Sequence, residues 1–393
     1  MEVFSVGMNT SSGVILPEPT TGRVDVLIVA AEHSGDEHAA RLVGGLRARQ
    51  PQLAVAALGG PRLAAAGAQL LRDLTGVSAI GFAVVGRLAF YRALIAEIVR
   101  WTGRHCPRVI CLVDSSGLNL RIARGLFTQG FSAKAGGPTR VVYYISPQIW
   151  ASRPGRRFAM AKHLDALAAI FPFELAEYAD TALPVEFVGH PFLASAHTSP
   201  VRYDPAGPVL LLPGSRASAV KRIFPRLAAG FRASGRPEAV VIYPSIEIRD
   251  LITSLNPPAN VRLIPMPIDG RPAPIGASAV LTSSGTMSMQ CALAGIPGAV
   301  TYRTDPVTYL LGRWLVRVRY LGIANLILRE PMYPEYIQGT ATPMALAAEL
   351  RACAEDPTRR ERTAAQATRL RALLGQPANG TVVSWMLRQL EQA

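Results

Sequence analysis

Short apolar runs alternate with amphipathic segments along the first half of the chain. The first run, Val24 to Ala30, is almost continuously apolar, which is typical of a strand buried on both faces of a parallel sheet. Ser34-Gly35-Asp36 follows it and opens a predicted helix that continues through Leu46. Further strands are predicted at residues 54–60, Val109–Val113, Val141–Ile145, Leu167–Ile170 and Val185–Val188. Because helical stretches separate most of them, the pattern predicts an open parallel sheet.

The same alternation resumes after a polar segment that contains Pro and Gly. Strands are predicted near Val209–Leu212, Ala239–Tyr243, Val261–Ile264, Ala279–Leu281 and Gly298–Tyr302, with helices at Ala217–Ala233 and Thr286–Ala294 among them. The expected units are a disordered leader (1–23), a first domain (24–193), a linker (194–207), a second domain (208–342) and a C-terminal helical segment (343–393). We therefore expect an α/β protein with two Rossmann-like domains and a ligand-binding cleft between them. The final segment is expected to pack back on the first domain, of this chain or of another subunit.

Composition narrows the class of protein. Of 393 residues, 49% are hydrophobic and 17% charged, with a net charge of +14, so the chain is globular and basic. The basic residues are dispersed rather than clustered with aromatic ones, which argues against nucleic acid as a partner. The four cysteines form no CxxC pair, which is typical of a reducing compartment without a zinc site. We find no secretory signal and no apolar run near the ~20 residues that span a bilayer, which indicates a soluble or peripheral protein.

Two turns suggest a binding site for a diphosphate. Gly214-Ser215-Arg216 and Ser284-Gly285-Thr286 each follow an apolar strand and precede a helix. Backbone N–H groups at a helix N-terminus bind anions, and Gly allows a phosphate to approach the backbone closely. The dinucleotide-binding GxGxxG, the phosphate-binding GxxxxGK[ST] and the nucleophile GxSxG are absent from the sequence. We therefore predict a nucleotide-dependent enzyme that is neither a dehydrogenase nor a P-loop kinase.

Several polar residues at strand ends are candidates for catalysis and binding. Asp114 directly follows a strand, where it would be a general base in the cleft or, equally, a helix cap. Arg216 would hold a diphosphate and stabilise it as a leaving group, or would pair with a surface carboxylate. Gln290, one turn into its helix, could reach a ribose or be solvated. Ser146 to Trp150 would line an acceptor pocket or form a packed turn.

One basic stretch suggests contact with a membrane. Arg313, Trp314, Arg317 and Arg319 lie among apolar residues and tyrosines between positions 302 and 329. Arginines on an amphipathic segment with Trp and Tyr suit an anionic bilayer surface. The alternative is a solvated helix face.

Taken in order, ten segments resemble the lipid-A-disaccharide synthase family of inverting GT-B glycosyltransferases. Among them are AEHSGDEHAARLVGGLR, LGGPRLAAAGA, VDSSGLNLRIAR, YYISPQIWASRPGR, PVEFVGHP, LLPGSRASAVKR and SSGTMSMQCALAGIP, and the resemblance extends from about Val24 to Leu350. It implies transfer from UDP-2,3-diacylglucosamine to 2,3-diacylglucosamine 1-phosphate, with release of UDP, at the cytoplasmic side of a Gram-negative inner membrane. The implied first domain binds the acceptor and the second the nucleotide sugar, without a metal or other cofactor. A homodimer is a further expectation.

The resemblance also implies roles for individual residues. Asp114 matches the base for the acceptor 6-hydroxyl, and Arg216 matches the arginine of the donor loop, with Gly214 and Ser215 beside it. The other matched positions are Ser34, Gly35, Asp36 and Asn119 on the acceptor side, and Ser284, Gly285, Thr286 and Asn325 on the donor side.

Several positions depart from the family pattern. Gln290 stands where the family has a ribose-binding Glu, Gly117 replaces a second Asp, and Ala219 and Val84 each replace a Glu. Ala31 replaces a Gly, and Leu328 and Arg329 replace Ala and Gly. Two alternatives follow: a GT-B transferase with another lipid-linked acceptor, and a catalytically silent paralogue that binds lipid or a partner.

Overall fold

The computed structural model describes residues 14–75, 84–195, 197–267, 273–305 and 318–393. Within these ranges the chain forms two α/β units and a helical C-terminal segment. None of the helices in these ranges combines the length and the apolar composition that a membrane-spanning helix requires.

The first unit is built on seven parallel strands in the order β3-β2-β1-β4-β5-β6-β7. Their bounds are β1 (Val26–Ala30), β2 (Val55–Gly59), β3 (Gln69–Asp73), β4 (Val109–Val113), β5 (Arg140–Tyr144), β6 (Ala166–Ala169) and β7 (Val185–Phe187). Strand β1 pairs with both β2 and β4, in registers that place Val26 beside Val55 on one side and beside Val109 on the other. All residues of β1, β2 and β4 are buried, which explains their continuous apolar sequence.

Helices cover both faces of this sheet. They are α1 (His33–Arg49), α2 (Pro61–Ala65), α3 (Val84–His105), α4 (Ser116–Thr128), α5 (Arg156–His163) and α6 (Glu174–Glu177). Successive residues of a strand point to opposite faces. Accordingly, Ile28 packs in one core with Leu42 of α1, whereas Leu27 packs in a second core with Ile98 of α3. The unit is therefore a three-layer α/β/α domain.

The second unit repeats this plan. Six parallel strands have the order β11-β10-β9-β13-β14-β15, and a separate parallel pair joins β8 to β12. The strand bounds are β8 (Val201–Tyr203), β9 (Val209–Leu212), β10 (Ala239–Tyr243), β11 (Val261–Pro265), β12 (Ile275–Ala277), β13 (Ala279–Thr282), β14 (Gly298–Tyr302) and β15 (Glu335–Ile337). Its helices are α7 (Ala217–Ser234), α8 (Ile246–Ser254), α9 (Thr286–Leu293) and α10 (Ile323–Leu328). The prediction of two Rossmann-like domains is confirmed.

Two segments differ from the sequence-based expectation. The end of the predicted leader is ordered: Leu16 is buried, and the Trp101 indole donates a hydrogen bond of 2.9 Å to the Pro17 carbonyl. Disorder is therefore wrong for residues 14–23, because an apolar side chain there has a place in the core beside α3. The predicted linker also contains a strand, β8, that pairs with β12 of the second domain.

The C-terminal segment spans both domains. It consists of α11 (Pro343–Glu355), α12 (Pro357–Leu374) and α13 (Val382–Glu391). Helix α11 packs against α7, whereas α13 lies on the first domain of the same chain. There Trp385 is fully buried, Arg140 bonds to Gln389 at 2.9 Å, and Arg388 pairs with Glu186 at 2.6 Å. The last helix therefore fastens the second domain to the first.

Two adjacent glycines of α1 test this packing. A Cβ on Gly45 would lie 2.5 Å from a methyl group of Val383 in α13, whereas a Cβ on Gly44 would contact nothing within 4 Å. We expect Gly44→Ala to raise the free energy of unfolding by about 0.5–1 kcal/mol through helix propensity. We expect Gly45→Ala to lower it by about 1–3 kcal/mol through overpacking. Urea unfolding of both variants measures the difference, and equal stabilisation would contradict the placement of α13.

Candidate active site

The cleft lies where the carboxyl ends of the two sheets meet. In the first sheet the strand order reverses between β1 and β4, and in the second between β9 and β13. Open parallel sheets bind their ligands at this switch point. Glu32 follows β1 and Asp114 follows β4, while Gly214 follows β9 and Ser284 follows β13.

Asp114 occupies a strained and well-supported backbone position. Its φ of +50° and the φ of +45° at Ser115 are in the left-handed region, which few residues adopt. The Asp114 carbonyl accepts hydrogen bonds from the Asn119 amide at 2.9 Å and from the Tyr143 hydroxyl. Asn119 and Tyr143 are fully buried. These two side chains hold the turn that directs Asp114 out of the sheet, and no side-chain hydrogen bond caps α4.

The surroundings of Asp114 suit a general base. Burial raises the pKa of its carboxyl to about 6, and the negative charge of Glu32 adds to this effect. The backbone N–H of Ser115 and the charge of Arg216 act in the opposite direction. A base with a pKa near 6 is ionised at neutral pH and still accepts a proton readily.

Arg216 reaches across the cleft to Glu32. One guanidinium nitrogen lies 2.8 and 2.7 Å from the two Glu32 carboxylate oxygens. The sequence left open a carboxylate partner for Arg216, and the structure places that partner in the opposite domain, beside Asp114. Both side chains are substantially exposed, and such ion pairs contribute only about 0–1 kcal/mol, so an anionic ligand can displace Glu32. The sequence pattern did not single out Glu32, although its place two residues after the end of β1 was a usable signal.

The two predicted anion turns lie side by side in the second domain. Gly214 has a φ of +105°, and a Cβ there would lie 3.1 Å from the Ser283 hydroxyl. Gly214 and Ser215 precede α7, which begins just after Arg216, and Gly285 is the residue before α9. The adjacency follows from the pairing of β9 with β13. The N-termini of α7 and α9 therefore open on the same side of the cleft.

A cavity of about 330 Å³ joins the two domains. Asp114, Ser34 and Ser146 line it from the first domain, and Thr286 and Met289 line it from the second. A neighbouring hollow of about 480 Å³ contains Glu32, Arg216 and the other side of Asp114. Asp114 thus borders both spaces.

Three predicted site residues support the backbone instead of lining these spaces. The Asp36 carboxylate accepts hydrogen bonds from the N–H groups of Gly60, Arg62 and Leu63 at 2.8–3.2 Å. Asn325 is fully buried. Its side-chain N–H groups donate to the Tyr333 carbonyl and to Glu335, and its side-chain oxygen accepts from the Tyr333 N–H. Asn119 is engaged as described above. Gly35, also buried, lies behind Ser34 against Ala30.

The two ends of the segment from Ser146 to Trp150 have different surroundings. The Ser146 hydroxyl lines the cavity and bonds to the Tyr178 hydroxyl at 2.8 Å. Trp150 instead lies behind the cavity wall, with its indole 3.4 Å from Glu174. Burial raises the pKa of Glu174 to about 8, and the N–H groups of Trp150 and Phe171 that donate to it act in the opposite direction. Trp150 thus forms the packed turn that the sequence also allowed.

Of the predicted membrane-facing residues, the structure describes Arg319. Its side chain is exposed, with the guanidinium carbon 5.4 Å from the centre of the Tyr320 ring. The other three, Arg313, Trp314 and Arg317, lie outside the described residues. In the part of the chain that the structure describes, no group of three or more His, Cys, Asp and Glu side chains is arranged to hold a metal ion.

A family model and two relatives carry the same description. A family model described as lipid-A-disaccharide synthetase matches residues 26–382. A lipid-A-disaccharide synthase of Geobacter metallireducens is 32% identical, over 89% of this chain and 93% of that protein. One of Myxococcus xanthus is 35% identical, over 83% and 87% respectively.

Solved structures share the fold at low identity. A spinosyn rhamnosyltransferase complexed with thymidine diphosphate has a TM-score of 0.53 at 15% identity and covers 94% of this chain and all of its own. The UDP-GlcNAc 2-epimerase of Neisseria meningitidis bound to UDP-GlcNAc has a TM-score of 0.56 at 12% identity, with the same coverage. These likenesses bear on the fold alone.

The pKa of Asp114 is a direct test of the site geometry. Glu32→Gln removes a negative charge that raises the pKa of Asp114. It also frees Arg216, whose positive charge lowers that pKa, so both effects lower the pKa of Asp114. We expect the Asp114 carboxyl carbon to titrate near pH 6 in the parent protein and at lower pH in the variant, as followed by carbon-13 NMR. The control is Glu37→Gln: Glu37 lies on α1, the helix that Glu32 precedes, but it pairs with Arg41 and Arg62, so the pKa of Asp114 should not change. An unchanged titration in Glu32→Gln would contradict the arrangement.

Proposed function

This chain belongs to the lipid-A-disaccharide synthase family, and we propose that Asp114 and Arg216 perform the family's glycosyl transfer in it. The donor is UDP-2,3-diacylglucosamine, the acceptor is 2,3-diacylglucosamine 1-phosphate, and the products are the disaccharide 1-phosphate and UDP. One observation carries the proposal: Asp114 faces a cleft whose opposite wall presents Arg216 and two helix N-termini.

The chemistry follows from the charges on the two walls. The acceptor 6-hydroxyl oxygen attacks the anomeric carbon of the donor, and the Asp114 carboxylate takes the proton from that hydroxyl. The bond between that carbon and the UDP oxygen breaks on the opposite face, so the configuration inverts. The negative charge gathers on the departing diphosphate. Arg216 and the N–H groups before α7 and α9 stabilise it, and groups already oriented toward that charge lower the barrier most.

Before the donor binds, Arg216 is held in the cleft by its pairing with Glu32. The diphosphate carries more charge than a carboxylate, so we propose that it takes over the guanidinium from Glu32 when the donor binds. The transfer then proceeds with protein charge alone, without a metal ion. Gly214, Ser215, Ser284, Gly285 and Thr286 belong to the same proposed donor subsite.

The Asp114→Asn variant tests the role of the base. An amide of the same shape cannot take the proton, so we expect turnover to fall about 10²- to 10⁴-fold. The Kd of UDP should change little, because the nucleotide contacts the other domain. Asp180→Asn, an exposed carboxylate paired with Arg157, is the control that retains activity. Turnover of Asp114→Asn equal to the parent would exclude the role.

We also propose that the protein works at the cytoplasmic surface of the inner membrane. The acylated substrates reside there, and the net charge of +14 favours an anionic surface. Arg313, Trp314, Arg317 and Arg319 are the proposed contact.

Vesicle binding tests this proposal. We expect co-sedimentation with anionic vesicles that weakens as salt rises from about 0.05 to 0.5 M. It should also weaken when Arg313, Arg317 and Arg319 are all changed to Glu. A control with Glu at the exposed Arg49, Arg124 and Arg232 carries the same net charge. Equal binding by the two triple variants would show that the charge acts without a local patch.

A further inference from the structure

His197 connects the segment between the domains to helix α9. Its ring Nε2 lies 2.9 Å from the Gln290 side-chain oxygen. One face of the ring stacks on Phe192, with 5.0 Å between centroids and 28° between planes. Phe192 in turn contacts His190 at 5.0 Å and His38 at 5.9 Å, both in the first domain. The group that touches Gln290 is therefore anchored to the opposite domain.

The direction of the hydrogen bond follows from the Gln290 oxygen that faces the His197 ring. Burial lowers the pKa of His197, which favours the neutral ring with its proton on one nitrogen. The Gln290 oxygen can only accept, so Nε2 donates to it, and the buried Nδ1 has no partner among the described residues. The Gln290 amide nitrogen forms no hydrogen bond within the described part of the chain, so its two N–H groups are available.

We propose that His197 is a positioning residue that turns the Gln290 carboxamide so that its N–H groups, and not its oxygen, face the ribose of the bound nucleotide. The inference rests on the proposed function, and it adds Gln290, which stands where the family has a ribose-binding Glu, to the proposed donor subsite. Where the family has a carboxylate that accepts from ribose hydroxyls, this chain presents a donor. A ribose hydroxyl oxygen accepts as well as donates, so the nucleotide still binds.

The proposal explains why a buried Gln is suited to this position. Without a partner, a carboxamide can rotate by half a turn and offer either group. His197 removes that freedom, and its stacking on Phe192 prevents the ring from turning away. Because Phe192 packs on the first domain, the orientation of Gln290 depends on the relative position of the two domains. The donor subsite is thereby completed by a residue outside the second sheet.

The His197→Ala variant is the first test. A neutral hydrogen bond corresponds to roughly a 2- to 12-fold change in Kd. We expect the Kd of UDP and the KM of the UDP-sugar to rise by this factor, with kcat retained within about 2-fold, since Asp114 is untouched. His197→Gln, which restores an N–H donor, should recover part of the affinity, and unchanged thermal midpoints show that the variants fold. Tighter UDP binding by His197→Ala would overturn the proposal, because His197 would then compete with the ribose.

Two further measurements separate positioning from a general structural role. In the background of Gln290→Ala, loss of His197 should have no further effect on the Kd of UDP, whereas additive losses would contradict the proposal. Dideoxy-UDP, which lacks both ribose hydroxyls, should bind the parent and His197→Ala equally. Failure of the parent to bind UDP would instead refute the proposed function. A parent that binds UDP and turns over, with His197→Ala unchanged, would refute this inference alone.

Discussion

Both walls of the site depend on the reversal of strand order in the two parallel sheets. At a reversal, the chains that leave two neighbouring strands depart to opposite faces, and a crevice opens beyond their carboxyl ends. In the first sheet this point lies between β1 and β4 and releases Glu32 and Asp114. In the second it lies between β9 and β13 and releases the Gly214 and Ser284 turns. The cleft therefore carries carboxylates on one wall and, on the other, a guanidinium with two helix N-termini.

This separation of charge prepares the chemistry. Glu32 and Arg216 neutralise each other while the cleft contains no nucleotide, and each shifts the pKa of Asp114 in the opposite sense. Gly117, which replaces a second Asp of the family pattern, affects the charge around Asp114. A Cβ on Gly117 would meet nothing within 4 Å, so the site has room for a side chain at this position. A second carboxylate in the hollow beside Asp114 would raise the pKa of Asp114 further, so its absence favours the ionised form of Asp114.

Sequence patterns predict most of the fold, because buried parallel strands are short, apolar and separated by helices. They miss β3, β8, β12 and β15, in which most residues are partly exposed and the apolar run is short. The positions of Asp114, Arg216 and the two turns were predictable from strand ends. The roles of Asp36 and Asn325 were not, since Asp36 caps a helix 24 or more residues away and Asn325 bonds to the loop backbone at Tyr333 and to Glu335, beyond its own helix. Such contacts depend on tertiary neighbours that a local pattern does not contain. The pairing of Arg216 with Glu32 and that of Gln290 with His197 also join residues far apart in sequence, although the position of Glu32 near the end of β1 was itself a usable signal.

We propose that this cleft joins two acylated sugars with inversion at the donor carbon. The first measurement is to incubate the protein with UDP-2,3-diacylglucosamine, with and without 2,3-diacylglucosamine 1-phosphate. UDP release is measured, and the mass and anomeric coupling of the product are recorded. We expect acceptor-dependent release of UDP and a β-linked disaccharide 1-phosphate. Folded protein that binds UDP but yields no disaccharide, or one that yields the α-linked product, would contradict the proposal.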